Sequence, residues 1–204
     1  MKKPVKTQEL ELLITSLAFG GRGVARQDGF VIFVEGAVPG DRVRAVVTHA
    51  RRSYAEARVK ELLNSSAERV EPKCRHFGVC GGCSWQTLSY DAQLRYKQSQ
   101  VTECLGHIGG IRGFEVDEPL AAEPLWRYRN KVEFSFSAGD RGAADSVKAI
   151  GGSDTSDAAI GTGLYLGFHL PGDWRRVVNI QDCLLHSETT NAIRNAVRDF
   201  AQRE

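Results

Sequence analysis

Short apolar runs separated by glycine-bearing turns occupy the first third of the chain. The runs are ELLITSLAF, FVIFVE, VRAVVTHA and EARVKELL, and the turns between them include GGRG and VPGD, all between residues 10 and 63. Runs of this kind bounded by glycine and proline are typical of β-strands. Proline presets φ and glycine accepts positive φ, so Pro39-Gly40-Asp41 favours a turn. The pattern predicts a small closed barrel of five strands, similar to the OB fold.

A helical pattern follows in the stretch SYDAQLRYKQSQVTECLGHIGG. Ser89 is a suitable N-cap, and Gly109 and Gly110 are suitable terminators. Apolar residues recur on one face at helical spacing: Leu94, Val101, Leu105 and Ile108. The spacing predicts one amphipathic helix that buries this face, with Cys104 as a small core residue.

The last third of the chain returns to alternating patterns. KVEFSFSA, LYLGFHL and RVVNI predict antiparallel strands. Between the first two lies a stretch rich in glycine, alanine, serine and aspartate, residues 138–163, which predicts a long hairpin loop. Ser187 can cap a final helix that carries Ile193, Val197 and Phe200 on one face.

These patterns predict a mainly β protein with an α+β part and three consecutive regions. The polar, proline-containing stretch NSSAERVEP at residues 64–72 suggests a boundary after the barrel. We therefore expect a barrel at residues 1–65, a central antiparallel-sheet domain at residues 66–185, and a helix at residues 186–204. An apolar face on that last helix suggests that further protein packs against it.

Composition narrows the class of protein. The 204 residues are 42% hydrophobic and 25% charged, as in ordinary globular proteins. No apolar stretch approaches the roughly 20 residues of a membrane span, and the first residues lack the apolar block of a signal peptide. We expect a cytoplasmic monomer without a membrane partner.

Positive charge is concentrated at the front of the chain. Residues 1–60 carry 11 lysines and arginines against 6 aspartates and glutamates, whereas the remainder carries 16 against 19. Such asymmetry indicates a polyanionic partner such as nucleic acid. The candidate phosphate contacts lie at turns or alternate strand positions of the barrel: Arg22, Arg26, Arg51, Arg52 and Arg58. A merely solvated charged face is the alternative.

A second basic stretch, WRYRNKVEF, interleaves an aromatic ring with positive charges at residues 126–134. Arg127, Arg129 and Lys131 provide the charges that a single-stranded RNA surface needs beside stacking rings. An ordinary half-buried strand explains the same alternation, and the sequence leaves both interpretations open.

Three cysteines within ten residues are the strongest chemical signal. In CRHFGVCGGC, Cys74, Cys80 and Cys83 are spaced by five and then two residues, close to the four-then-two spacing of plant-type ferredoxins. Zinc sites more often pair two CxxC motifs or add nearby histidines. An iron-sulfur cluster is therefore favoured, with zinc or three unliganded cysteines as alternatives. His76 is expected at the surface or in contact with RNA.

Two other kinds of site are not indicated. GGRG at residues 20–23 lacks the GxGxxG spacing and the following helix of a phosphate-binding loop, so we predict a tight turn. No strand, glycine-rich loop and helix suit an adenosyl cofactor, and no set of cysteine, histidine and carboxylate suits nucleophilic catalysis. We therefore name no catalytic residue and no cofactor-binding residue other than the cysteines.

Taken together, these segments resemble the RNA (uracil-5-)-methyltransferases that carry an N-terminal TRAM domain and an iron-sulfur cluster. ITSLAFGGRGVAR and AVPGDRVRAVV are similar to the TRAM barrel, CRHFGVCGGCSWQ to the cluster loop, and YRNKVEFSF and LGFH to the central domain. VNIQDCLL is similar to the segment that supplies the fourth cluster cysteine. The resemblance implies a 4Fe-4S cluster held by Cys74, Cys80, Cys83 and Cys183.

The resemblance also implies a function for a longer protein. In the family, a C-terminal S-adenosylmethionine domain follows, in which a cysteine adds to C6 of uracil and an acidic base removes the C5 proton. Those residues have no counterpart in this sequence. We therefore expect the RNA-binding and cluster-binding portion of such an enzyme, inactive alone, with ribosomal RNA preferred over tRNA as substrate. The substrate choice rests on analogy.

Two alternatives come from other classes of protein. TRAM domains also accompany radical-SAM enzymes that modify tRNA, but their cluster spacing is three then two. A stand-alone RNA-binding module with a metal staple and no catalysis is the other alternative. The coding sequence downstream of codon 204 discriminates between the hypotheses.

Overall fold

A computed structural model describes residues 3–138 and 164–204, so nearly all of the predicted long hairpin loop lies outside the described residues. The strands are β1 Glu9–Leu13, β2 Ser16–Leu17, β3 Gly23–Gln27, β4 Phe30–Glu35, β5 Arg42–Ala50, β6 Tyr54–Asn64, β7 Ser135–Ala138, β8 Leu164–Leu170 and β9 Asp173–Asn179. The helices are α1 Tyr90–Glu103, continued by a π-helical turn at Cys104–Ile108, and α2 Glu188–Ala201. The predicted mainly β fold with a smaller α+β part is confirmed. Among the described residues, no helix is both long and apolar enough to cross a membrane.

Two compact units share the chain in an interleaved way. One consists of Met1–Glu71 and Trp85–Ala121, and the other of Pro72–Ser84 and Ala122–Glu204. The CRHFGVCGGC segment therefore belongs to the same unit as the later strands and α2. The expected division into consecutive regions at residues 65 and 185 stays a prediction.

The first unit is built around a closed β-barrel. Its strands run in the order β1-β5-β6-β4-β3-β2, and all neighbours are antiparallel except β4 and β6. β1 and β2 lie at opposite ends of this order but follow each other along the chain. Ile14 and Thr15 between them donate backbone hydrogen bonds to Asp41 and Val24. The predicted barrel is thus confirmed, with its first strand bent into two parts.

Alternation of side chains fills the barrel. Every second residue is buried along β1 and β4, in β5 as far as Val47 and in β6 as far as Val59, including Leu10, Leu12, Ile32, Val34, Val43, Ala45 and Ala57. The predicted turns are also present, since Gly20, Gly21 and Gly40 all have positive φ. GGRG is a tight turn between β2 and β3, as the sequence predicted.

Helix α1 packs on the barrel with a face other than the predicted one. Ser89 is its N-cap and accepts a hydrogen bond from the backbone of Ala92, as expected. Ala92 and Tyr96 pack with the barrel residues Leu17 and Val38. The prediction that the apolar stripe is the buried face is wrong. Val101 is 48% exposed, Leu105 36% and Ile108 85%. Small and aromatic residues fit closely against the barrel, and this contact decides which face is buried.

The second unit contains an antiparallel sheet in the order β7-β8-β9. The three predicted strands are therefore confirmed, although β7 begins at Ser135 and residues 131–134 are irregular. Ser187 caps α2 as predicted, by accepting a hydrogen bond from Thr190. The apolar face of α2 is exposed, whereas its buried residues are the polar Asn191 and Arg194.

Candidate nucleic-acid interface and candidate metal centre

Basic and aromatic side chains lie together on the outer face of β3, β4 and β6. Arg26 is paired with Val31, and Val31 in turn with Tyr54. The rings of Phe33 and Tyr54 contact edge to face, with centroids 5.5 Å apart. Because paired residues of neighbouring strands point to the same face, Arg26 and these two rings share one surface.

Four of the five candidate arginines on the barrel have no acidic partner. Arg26, Arg51, Arg52 and Arg58 are exposed and form no ion pair with other described residues. Arg22 differs, because its guanidinium lies 2.9 Å from Glu56. An exposed guanidinium without a carboxylate can bind a phosphate without first breaking an ion pair.

Three of these arginines lie at the same end of the barrel. β4 and β6 are parallel and start side by side, with Val31 opposite Tyr54. The β3–β4 turn and the β5–β6 turn therefore lie at one end, which places Arg26 near the turn that carries Arg51 and Arg52.

The outer face of β1, β5 and β6 has a different character. Its basic residues are held by glutamates: Arg42 and Arg44 by Glu11, Arg44 also by Glu61, and Lys60 by Glu9. Positive charge on this face is thus internally neutralised. The contrast makes the face of β3, β4 and β6, together with the β5–β6 turn, the candidate nucleic-acid interface; we call it the arginine face.

The barrel unit carries another exposed ring that the sequence analysis did not single out. Phe19 is 87% exposed in the turn before Arg22. A fully exposed phenylalanine is unusual and is available for stacking on a base. Its position between strand β2 and two glycines was the signal in the sequence.

The second unit carries its own basic and aromatic residues. Arg129 and Lys131 are exposed, and Lys131 forms an ion pair with the equally exposed Glu133. Tyr128 between them is 59% exposed. Trp174, also missed by the sequence analysis, is 74% exposed and lies under the guanidinium of Arg175.

Arg127 has an internal role in the structure. Its guanidinium forms an ion pair with Asp182 at 3.1 Å and donates to the carbonyls of Cys183 and His186. The neighbouring backbone also pairs with the same segment, since the amides of Arg127 and Arg129 donate to Leu184 and Leu185. Arg127 therefore holds the segment around Cys183 in place.

The four cysteines named with the family resemblance all belong to the second unit. Cys183 is buried in an apolar cluster with Val79 and Ile180, and Cys80 packs against this cluster. Cys74 and Cys83 lie in the same short loop as Cys80. Folding therefore brings a cysteine that is remote in sequence to the CRHFGVCGGC loop.

The thiols also influence one another electrostatically. Burial, with smaller contributions from the nearby Cys83, Cys74 and Cys183, raises the pKa of Cys80 to about 12. Burial likewise raises the pKa of Cys74 and of Cys183, with an added contribution from Cys83 in each case. Thiolates brought close together bind a cation well, because the cation relieves the repulsion between their charges.

Backbone N–H groups point at three of the four sulfurs. Gly82 donates to Sγ of Cys80 at 3.3 Å. Backbone hydrogen bonds from His76 to Cys74, and from Leu185 and His186 to Cys183, lower the pKa of those thiols. Such donors stabilise sulfur that carries negative charge, as it does when bound to metal.

A single metal ion and a cluster differ in how close together their ligands must lie. Within the described parts of the chain, no three His, Cys, Asp or Glu side chains are grouped so that they could hold one ion. One zinc ion needs its sulfurs at bonds of about 2.3 Å. An iron-sulfur cluster accepts thiolates that lie farther apart, because its own irons and sulfides fill the space between them.

Two expectations about neighbouring residues were wrong. Cys104 is exposed rather than part of the core, since the packed face of α1 lies elsewhere. His76 is buried rather than at the surface, and its Nε2 accepts a hydrogen bond from the backbone of Gln181 at 3.4 Å. Burial lowers the pKa of His76 to about 4, so the ring is neutral at physiological pH.

Comparison with known proteins finds similarity both to the barrel alone and to nearly the whole chain. The TRAM domain model matches residues 6–60. An uncharacterized RNA methyltransferase of Chlorobaculum tepidum is 39% identical over 98% of this chain and 42% of that protein. A 23S rRNA (uracil(1939)-C(5))-methyltransferase of Alkalilimnicola ehrlichii is 46% identical over 66% of this chain and 30% of that protein.

A solved structure shares the fold. The tRNA (uracil-54, C5)-methyltransferase of Pyrococcus abyssi, in complex with S-adenosyl-L-homocysteine, aligns with 95% of this chain and 37% of that chain, with a TM-score of 0.56 and 22% identity. The chain spans about two fifths of the length of the first curated relatives that it matches. It carries a TRAM domain, and the proteins to which it is similar are named RNA methyltransferases, among them uracil-C5 enzymes of 23S rRNA.

Proposed function

We propose that this chain is the RNA-binding and cluster-binding portion of a cytoplasmic, monomeric, S-adenosylmethionine-dependent RNA (uracil-5-)-methyltransferase. The names of its relatives support uracil C5 as the methylated position. S-adenosyl-L-homocysteine in the complex of the tRNA enzyme supports the methyl donor. We assign methyl transfer to the part of such a protein that this chain does not match, and we assign no catalytic residue here.

The arginine face carries the proposal of RNA binding. Arg26, Arg51 and Arg52 have no acidic partner among the described residues, while the rings of Phe33 and Tyr54 lie on the same face. Guanidinium groups bind phosphates, and nearby rings stack on unpaired bases, as in other OB-like barrels. In the second unit, Arg129, Lys131 and the exposed rings of Tyr128 and Trp174 provide further contacts of the same kind.

Two variants with the same change of charge test this interface. In the first variant, Arg26, Arg51 and Arg52 are replaced together by glutamine. In the control, glutamine replaces Arg42, Arg44 and Lys60, which form ion pairs with glutamates. For single-stranded RNA, log K falls with log salt, and each lost phosphate contact makes this negative slope shallower by about 0.7. We expect the slope of the first variant to be shallower by about 2 and its affinity to be much lower. The control should stay close to the unmodified chain in both.

Fluorescence anisotropy over a salt series measures both quantities. An equal loss of affinity in the two variants would show that net charge, rather than the arginine face, drives binding. Unchanged binding in both would remove the proposal for this face.

Ribosomal RNA is the proposed substrate in preference to tRNA. Relatives named as 23S rRNA enzymes are 46% and 47% identical to this chain, whereas the tRNA enzyme is 22% identical. In the same anisotropy experiment, a 23S rRNA fragment should compete for the chain better than tRNA at equal concentration.

For the metal centre, we propose a 4Fe-4S cluster ligated by Cys74, Cys80, Cys83 and Cys183. The presence of all four thiols in one unit and the backbone donors to three of them support this ligand set. When bound, the cluster would supply a structural cross-link between the loop at residues 74–83 and the segment at Cys183. Methylation by covalent addition to uracil requires no electron transfer, so we assign it no redox step.

A further inference from the structure

We propose that Arg194 is the internal counter-charge of the four-cysteine site and stabilises the negative charge of the loaded cluster. The inference rests on the proposed cluster and adds a residue that does not ligate it. Arg194 lies on α2 and is only 3% exposed. A buried guanidinium is costly unless an anion compensates its charge.

Arg194 has only neutral hydrogen-bond partners. Its terminal nitrogens donate to Oδ1 of Asn191 at 2.7 Å, to Oδ1 of Asn195 at 3.0 Å and to the carbonyl of Gln181. Its Nε is buried without a partner among the described residues, and the guanidinium lies over the ring of Phe134 at 5.2 Å. The described structure therefore contains no ion pair for this cation.

The nearby carboxylates are held by other arginines. Asp182 pairs with Arg127 at 3.1 Å, and Asp199 pairs with Arg198 at 3.1 Å. Burial, and next the positive charge of Arg198, lower the pKa of Arg194, while the more distant charge of Asp182 acts in the opposite direction. Neither carboxylate forms an ion pair with Arg194 among the described residues.

Cys183 provides the link to the metal centre. Asn191 joins the two residues, because its Oδ1 accepts from the amide of Cys183 at 2.9 Å and from Arg194 at 2.7 Å.

The charge of a loaded site fits this cation. In a 4Fe-4S site, four thiolates bring more negative charge than the iron-sulfide core offsets, so the whole site is anionic. The low dielectric of the interior strengthens the attraction between this site and Arg194. In the chain without its cluster, the same cation is uncompensated.

The test compares Arg194→Gln and Arg194→Lys with Arg198→Met as a control. Arg198 lies one turn further along α2 and also bonds to a backbone carbonyl, that of Ile180, but it has Asp199 as its partner. Each chain is reconstituted anaerobically with iron and sulfide. Iron content, the rate of cluster loss to a chelator, the reduction potential, and the Tm with and without cluster are measured.

We expect Arg194→Gln to lose the cluster roughly 10- to 100-fold faster, as is typical when a supporting partner of a metal site is removed. Its Tm without cluster should equal or exceed that of the unmodified chain, because an uncompensated buried charge is gone. Its reduction potential should fall, since a nearby positive charge favours the reduced cluster. Arg194→Lys keeps the charge, so its rate of cluster loss and its reduction potential should lie between those of Arg194→Gln and the unmodified chain. Arg198→Met should retain the cluster.

Three outcomes would overturn the inference. If Arg194→Gln retains the cluster as well as Arg198→Met does, Arg194 is no counter-charge. If Arg194→Gln lowers the Tm equally with and without cluster, the residue is only a structural support. If the unmodified chain takes up no cluster, the proposed metal centre fails and this inference fails with it.

Discussion

Replacing Cys183 by serine or alanine is expected to abolish most of the iron content and visible absorption of the reconstituted chain, whereas Cys104→Ser should leave both unchanged. Cys183 lies buried against Cys80 and Val79, and its sulfur receives backbone hydrogen bonds. Cys104 is exposed on the π-helical turn after α1 and belongs to the other compact unit. A cluster with three ligands instead of four is labile.

Two replacements at Cys183 keep the result interpretable. Serine places a hydroxyl in an apolar cluster, while alanine preserves the apolar character and removes only the sulfur. Both should lose the cluster and the increase in Tm that the cluster provides. Loss of iron in Cys104→Ser together with its retention in both Cys183 variants would show that the proposed ligand set is wrong.

The second large effect is expected at Asp41, a residue that the sequence analysis treated only as part of a turn. Its carboxylate is fully buried and accepts from the amides of Val38 at 2.8 Å and Ser66 at 2.9 Å. It also forms an ion pair with Arg69, at 2.6 Å between Oδ2 and the guanidinium. The pair ties the end of the barrel to the segment that leads into α1.

Asp41→Ala should lower the free energy of unfolding of the first unit by about 3–5 kcal/mol, because it leaves the buried Arg69 without its partner. The control is Lys60→Ala at the exposed ion pair with Glu9, where we expect a loss below about 1 kcal/mol. Urea denaturation, with hydrogen exchange of the barrel amides, measures both. A loss at Asp41 no larger than that at Lys60 would contradict the importance of this pair.

Local patterns predicted the elements of the fold well. Period-two alternation indicated the barrel strands, glycines with positive φ indicated the turns, and Ser89 and Ser187 indicated the starts of both helices. Each of these signals depends on neighbours within a few residues, so a single sequence contains it. The same kind of reasoning failed for α1, where the contact with the barrel selected a face that carries Ala92 and Tyr96.

For the candidate sites, the residue types were readable in the sequence but their partners were not. The arginines of the barrel were named from their positions at turns, yet only the register of the strands shows that Arg44 is paired with glutamates while Arg26 has no such partner. Phe19, Trp174 and Arg194 were missed. Exposure of a ring and burial of a guanidinium depend on what packs around them, and helix periodicity alone places Arg194 no differently from Arg198.

The sequence by itself determined the β-barrel, the capped helices and the spacing of three cysteines, because these depend on local backbone preferences and on short-range order. The tertiary structure decided which remote groups meet. It brought Cys183 to the loop at residues 74–83, buried the Asp41–Arg69 pair and gave Arg194 no ion pair with any residue of the described ranges. Long-range contacts follow from the packing of the whole unit, in which burial of apolar surface is balanced against the cost of burying charge.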